Sequence, residues 1–236
     1  MQTLTPLEPG ECYHIYNRGI NRMNIFMEER NFAYFMRLYA KHIDPVAVTF
    51  AYCLLPNHFH FLVRMRTERR ADQPLDRLGF ENRVGLDPGL DSYPAPASQS
   101  VDRRGFENRV GLGLELDRRT LSQAFGNWLN AYAKAINKAY DRTGSLFQHH
   151  FGRTPVTSDR YFTALIHYIH CNPQKHGLVQ DFRQWRYSSY PALLSEHPTR
   201  LDRQAVLGWF GGLEGFRRFH EQAADASAIL ELIGED

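Results

Sequence analysis

Apolar residues recur along the chain with two periods, one of two residues and one near that of a helix, and they divide it into short strands and amphipathic helices. Residues 12–17 alternate as a strand does and stop at Asn17-Arg18-Gly19. A helix is predicted over 28–42, where Phe32, Phe35, Met36 and Tyr39 share one face, and Asp44-Pro45 breaks it. Two β-rich runs, 46–54 and 58–66, flank the turn residues Leu55-Pro56-Asn57 and read as a hairpin. A second helix is predicted over 120–140. Thr120 and Gln123 have capping-box spacing, Leu121, Phe125, Trp128, Leu129, Tyr132 and Ile136 face the core, and Gly144 lies just past the end. Residues 146–157 read as extended. Ser158 or Asp159 opens a third helix, predicted to end near Cys171 because Pro173 disfavours helical geometry at Asn172. The tail from Pro191 holds a turn at Trp209-Phe210-Gly211-Gly212 and a last helix over 216–233, with no chemical signal of its own.

The first six elements spell a βαββαβ split unit. The expected fold class is therefore α+β, a ferredoxin-like core whose antiparallel sheet carries helices on one face, followed by a C-terminal helix. One stretch does not fit this order. Gly-Phe-Glu-Asn-Arg-Val-Gly-Leu occurs at 79–86 and again at 105–112, separated by a Pro/Ser/Ala linker. Two copies are too few for a stacked solenoid, and the Gly, Pro and charge content suits a surface excursion. Residues 67–118 are read as a repeat-containing insertion. The expected organisation is a catalytic domain over 1–195, interrupted by that insertion, and a helical tail over 196–236.

Composition narrows the class without choosing a function. With 43% hydrophobic and 13% aromatic residues among 236, wholesale disorder is excluded. A net charge of +2 is too small to point to nucleic acid by itself. Local groups matter more to a phosphate backbone, and Arg18 with Arg22, and Arg64, Arg66, Arg69 and Arg70, form two. The three cysteines make no Cys-x-x-Cys pair, which argues against a disulfide scaffold or a zinc ribbon. No apolar run approaches the roughly 20 residues of a membrane span, and the first ten residues lack a signal-peptide pattern. The protein is expected to be soluble and cytoplasmic, with no membrane partner.

The densest chemistry lies in Leu55-Pro56-Asn57-His58-Phe59-His60-Phe61-Leu62-Val63. Alternate side chains of a strand share a face, so His58, His60, Leu62 and Arg64 point one way. Phe59, Phe61, Val63 and Met65 point the other way, toward the core. Two imidazoles presented side by side are a good start for a metal site. An isolated His-x-His is more often a surface or hydrogen-bonded pair; here the flanking alternation fixes both rings to one face. In 161–173, Phe162, Leu165, Ile166 and Ile169 form the buried stripe of a helix. At about 100° per residue, Tyr168 falls on a flank of that stripe, with Asn172 as its i+4 neighbour and His170 nearly opposite. Read on the helix alone, Tyr168 is a boundary aromatic with its hydroxyl in water.

Taken together, FAYCLLPNHFHFLV (50–63), LIHYIHCNPQKHGLV (165–179) and WRYSSY (185–190) resemble the single-tyrosine HUH transposases, and within them the REP-associated tyrosine transposase branch. YHIYNRGINRMNIF (13–26) and SLFQHHF (145–151) resemble the same branch. The similarity runs over 12–194 apart from the insertion, which has no counterpart in the pattern. It implies that His58 and His60 bind a divalent ion, Mg2+ or Mn2+, and that Tyr168 is the nucleophile. Asn172 stands where related enzymes place a third, amide-bearing ligand, often Gln. The implied activity is metal-dependent single-strand DNA cleavage and strand transfer. The implied partner is single-stranded or hairpin DNA of REP-like repeats, with a homodimer among the assemblies allowed.

The side chains suit that chemistry. A phenol, with a pKa of about 10, is a usable nucleophile without a strong base. Its attack on a phosphodiester gives a 5′-phosphotyrosine and a free 3′-OH, and phenoxide then leaves more readily than an alkoxide, so rejoining needs no ATP. Arg18, Arg22, Arg64 and Arg66 are candidate phosphate contacts, and Trp185 and Tyr187 candidate stacking partners for bases. Trp185, with Tyr190, also reads as core. Two other readings use the same residues: a structural or hydrolytic zinc site of His58, His60, Cys53 and Cys171, and a hairpin-DNA-binding protein without catalysis.

Overall fold

A computed structural model describes residues 5–70 and 115–222. Most of the expected insertion and residues 223–236 of the tail lie outside the described residues. The described ends of the expected insertion meet: Leu116 N–H donates to Thr67 O (2.9 Å), and Glu68 bridges Glu115.

Strand β1 (Cys12–Arg18), helix α1 (Glu29–His42), strands β2 (Ala47–Leu55) and β3 (His58–Met65), helix α2 (Arg118–Ala139) and strand β4 (Gly152–Pro155) follow in βαββαβ order. The strands form one antiparallel sheet, β2-β3-β1-β4. This is the α+β, ferredoxin-like arrangement expected from the periodicities. Helices α1 and α2 cover one face. Their Phe35 and Trp128 pack on Phe59 and Phe61 of β3, with Trp128 5.3 Å and 5.5 Å from those two rings. Burial leaves no polar group of these large rings unanswered: the Trp128 indole N–H donates to Phe35 O and the Tyr132 hydroxyl to Ile25 O.

Helix α3 (Asp159–Lys175) lies against the other face, where Leu165, Ile166 and Ile169 pack on Ala51, Cys53, Leu55 and Leu62. Short helices α4 (Tyr190–Leu194), α5 (Arg203–Trp209) and α6 (Leu213–Gln222) back α3, with Tyr190, Val206 and Phe216 in the same cluster. The histidine-bearing face of β3 is thus interior as well, which corrects the expectation that Phe59, Phe61, Val63 and Met65 alone faced core. The apolar stripe of α3 is the cover that one strand's alternation does not disclose.

Several element ends differ from expectation, and of the extended run 146–157 only Gly152–Pro155 forms the strand β4. Helix α2 begins two residues earlier, because the Asp117 side chain accepts Thr120 N–H (2.7 Å) and Thr120 falls inside the first turn. Helix α6 begins at Leu213 rather than Phe216. Helix α3 does not stop before Pro173 but runs through it to Lys175. Pro173 removes only one N–H from the last turn, His176 N–H closes on Asn172 O, and the stop is Gly177 at φ +67°. That extra turn brings Asn172 and Lys175 onto the face that bears Tyr168, at i+4 and i+7. Among the described residues no helix is long and apolar enough to cross a membrane.

Candidate functional site

The antiparallel register sets the site. Tyr16 pairs with His60 and Arg18 with His58, so His14, Tyr16, Arg18, His58 and His60 share the face under α3. Ser158 starts α3 by accepting Tyr161 N–H (3.2 Å), and seven residues on the helix delivers Tyr168 to the same face. The Tyr168 ring meets His60 edge-on at 5.6 Å and His14 at 6.3 Å, and it is 4% exposed rather than a boundary residue with a solvated body. Lys175 Nζ lies 5.0 Å from its centroid.

His58 is oriented from behind. Its Nδ1 is 2.6 Å from Asn57 Oδ1, and an amide oxygen only accepts, so the ring proton sits on Nδ1 and Nε2 carries a lone pair. Asn57 is fixed in turn by donating to Arg22 O (3.3 Å). Arg22 reaches that place through a turn in which Asn21 and Arg22 both take positive φ. Gly19 opens the turn, and a Cβ there would stand 2.0 Å from Met23 O. The His58 Nε2 and Asn172 Oδ1 atoms are both buried and make no hydrogen bond of regular geometry. Asn172 Nδ2 reaches back to Tyr168 O (3.4 Å).

Burial, more than any charge, keeps these imidazoles neutral. It pushes His58 down to about 3, helped by the like charges of His176, Arg18 and Lys175 and opposed by the neighbouring Asn172 side chain. It holds His60 well below the ordinary value, with His14, His58, His176 and Arg18 acting in the same sense. His14 is lowered to about 3 by burial alone. Neutral imidazole is the form that binds a metal. Two such nitrogens and an amide oxygen that makes no regular hydrogen bond fit a divalent ion, and no group of three or more His, Cys, Asp or Glu among the described residues has metal-holding geometry.

The other candidates lie in different places. Arg18 stands opposite His58 at the site. Arg22 contributes its backbone carbonyl, and its side chain is exposed. Arg64 and Arg66 are at the far end of β3: Arg64 is exposed, with its guanidinium 5.6 Å from the Phe50 ring, and Arg66 Nε donates to Asp44 O. The Trp185 indole donates to Leu54 O (2.9 Å), and the Tyr187 ring stacks on Phe32 at 3.8 Å, so both are half-buried in packing contacts. Cys53 pairs with His60 across β2 and β3, burial raises its thiol well above the usual range and that of Cys171 to about 12, and among the described residues these cysteines and histidines form no group that could hold a metal ion.

Sequence reasoning did not single out His14, Tyr16, Lys175 or His176. The signal for the first two was present: they alternate on a strand that the split βαββαβ order places beside β3. His176 packs on His58, with ring centroids 4.8 Å apart. The Tyr16 ring lies across Gly152, where a Cβ would meet it at 2.2 Å, and sits 4.7 Å from His14. Gly152→Ala is expected to displace that ring and destabilise the fold by about 1–3 kcal/mol, the usual effect of overpacking. Urea unfolding reads this out, and an unchanged midpoint would count against the close fit.

No family profile matches the chain, and no curated protein matches it. Among solved structures it is similar to one described as a REP-associated tyrosine transposase bound to a REP hairpin, at 14% identity and a TM-score of 0.49, over 83% of this chain and 86% of that one.

Proposed function

We propose that the protein is a metal-dependent single-strand DNA endonuclease and strand transferase, acting on hairpin-forming, REP-like repeats through a 5′-phosphotyrosine intermediate. The observation that carries the reading is the placement of the Tyr168 ring against His60, on the face where His58 Nε2 and Asn172 Oδ1 are buried without a hydrogen bond of regular geometry. In this reading Tyr168 Oη attacks the scissile phosphorus and loses its proton. The P–O3′ bond breaks, and the 3′-oxygen leaves as a hydroxyl. The same hydroxyl, or that of another strand, attacks the phosphotyrosine in return and releases the phenol.

His58, His60 and Asn172 would hold the ion, and two imidazoles with one amide oxygen suit Mn2+ better than Mg2+. When bound, it supplies positive charge and alignment at the scissile phosphate. Arg18, beside His58, and Lys175, over the Tyr168 ring, are cations placed to hold that phosphate near the phenol. The catalytic unit is 1–195 without the 67–118 insertion, 196–236 is its tail, and residues 201–222 of that tail back α3 through Val206 and Phe216. The motif pattern from Tyr13 to Tyr190 supports hairpin DNA as the substrate.

Mass spectrometry after incubation with hairpin DNA and Mn2+ tests the reading. A covalent DNA adduct on Tyr168 is the expected result. Tight hairpin binding with no adduct and no nicking under any divalent ion overturns it in favour of a binding protein without catalysis.

A further inference from the structure

His14 and His60 are diagonal neighbours on the sheet face beneath Tyr168, since His14 pairs with Leu62 while Tyr16 pairs with His60. Their rings are 5.2 Å apart at 17°, and His14 Nε2 is 3.0 Å from His60 Nδ1. We propose that His14 is the positioning residue for His60: it accepts the His60 Nδ1 proton at its own Nε2 and so leaves the His60 Nε2 lone pair for a cation. The inference rests on the metal reading above.

Between two neutral imidazoles only one hydrogen lies on the line from Nε2 to Nδ1, and its owner decides what His60 can do. If His14 donates, the proton of His60 is on Nε2, and the ring faces the site as a hydrogen-bond donor with no lone pair to share. If His60 donates, its Nε2 matches that of His58, whose Nδ1 proton goes to Asn57 Oδ1. The two candidate ligands are then built alike, each gripped at Nδ1 by an acceptor behind it, the arrangement that fixes a metal-binding imidazole's tautomer and aim. Asn57 plays this part from the hairpin turn and His14 from the adjacent strand.

The arrangement has a cost that marks it as more than packing. With Nε2 accepting, the proton of His14 sits on Nδ1, an atom that is buried with no hydrogen-bond partner, in a side chain that is 0% exposed. A leucine at this position would shed that burden, so stability alone does not account for an imidazole here. The neighbouring rings Tyr16 and Tyr168 offer His14 edges and faces at 4.7 Å and 6.3 Å.

Titration of the full chain with Mn2+, followed by the electron-spin signal of the free ion, tests the role alongside thermal unfolding. His14→Leu is expected to keep or raise the melting temperature and to weaken Mn2+ binding by about 10–100-fold. His14→Gln, whose amide oxygen can accept at the place of Nε2, is expected to recover most of that loss. In the wild type loaded with Zn2+ as a diamagnetic stand-in, two-bond 15N–1H spectra should show the His60 proton on Nδ1. A folded His14→Leu that binds Mn2+ as the wild type does, while His58→Ala does not bind, overturns the role of His14 and leaves the metal site standing. A His60 proton on Nε2 in the Zn2+-loaded protein does the same, whether or not His14→Leu folds. A folded wild type that takes up no Mn2+ overturns the metal reading together with this inference.

Discussion

Tyr168→Phe is expected to lower the rate of hairpin-DNA cleavage by on the order of 10^4-fold or more, the scale seen when a nucleophile is removed, and to leave hairpin binding unchanged. The substitution deletes one oxygen from a ring whose packing is otherwise retained. Phenylalanine keeps the edge contacts to His60 and His14 and keeps a π-face near Lys175. Arg18 and Lys175, the cations expected to grip phosphate, are untouched. Loss of cleavage with retained binding therefore isolates Oη as the attacking atom, whereas loss of both would mean only that the site had collapsed. Gel shift and nicking assays on the same hairpin provide the two readouts. Cleavage by purified Tyr168→Phe within tenfold of the wild type would refute Tyr168 as nucleophile.

Much of this arrangement was legible because two periodicities are hard to mistake. The alternation His58-Phe59-His60-Phe61-Leu62-Val63 fixed both imidazoles to one face, and β3 keeps them there. The 3.6-residue stripe of Phe162, Leu165, Ile166 and Ile169 fixed the orientation of α3 about its axis. Where expectation failed, a tertiary contact outweighed a local rule. Pro173 looked like a stop, yet one missing N–H in a final turn is a small loss when Asn172 and the preceding residues are packed on the sheet. The extra turn is what brings Lys175 to the Tyr168 ring. His14 was passed over because a lone histidine in a strand says nothing until the neighbouring strand is known. Once β1 lies beside β3, its Nε2 has one partner within reach, His60 Nδ1. Among the described residues of the tail, His220 gave no chemical signal because its Nε2 works against α3, reaching His170, which the helix turns away from Tyr168.

Lowering the pH from 6.5 toward 4.5 in the metal-free protein is expected to unfold it cooperatively, in a range where most carboxylates are still ionised. Burial is the leading cause of depression for eight histidines, and the effect is largest for five of them: His14 and His58 lie at about 3, His220 at about 4, and His60 and His170 well below the ordinary value, while His42, His167 and His176 are lowered less. For His170 and His220 the hydrogen bonds show why protonation is resisted. Phe216 O can only accept, so His220 carries its proton on Nδ1 and accepts the His170 Nδ1–H at Nε2. His170 Nε2 in turn accepts from the Ser189 hydroxyl, which itself receives Tyr52 N–H. A proton added to His220 Nε2 would face the His170 Nδ1–H, two donors together, and one added to His170 Nε2 would turn the Ser189 hydroxyl from donor to acceptor and cost its hydrogen that partner. The unfolded chain has no such constraint and takes up protons below about pH 6.5. Stability is therefore fully present above that value and falls as the pH drops toward the folded values. The slope reaches about 1.4 kcal/mol per pH unit for each histidine. Several acting in the same sense steepen that fall, against a total stability of about 5–15 kcal/mol for a typical domain. Urea midpoints between pH 7 and pH 5 measure this directly. A midpoint that holds constant across that interval would show that the five imidazoles are not buried as neutral groups, and the ligand-ready state inferred for His58 and His60 would fall with it.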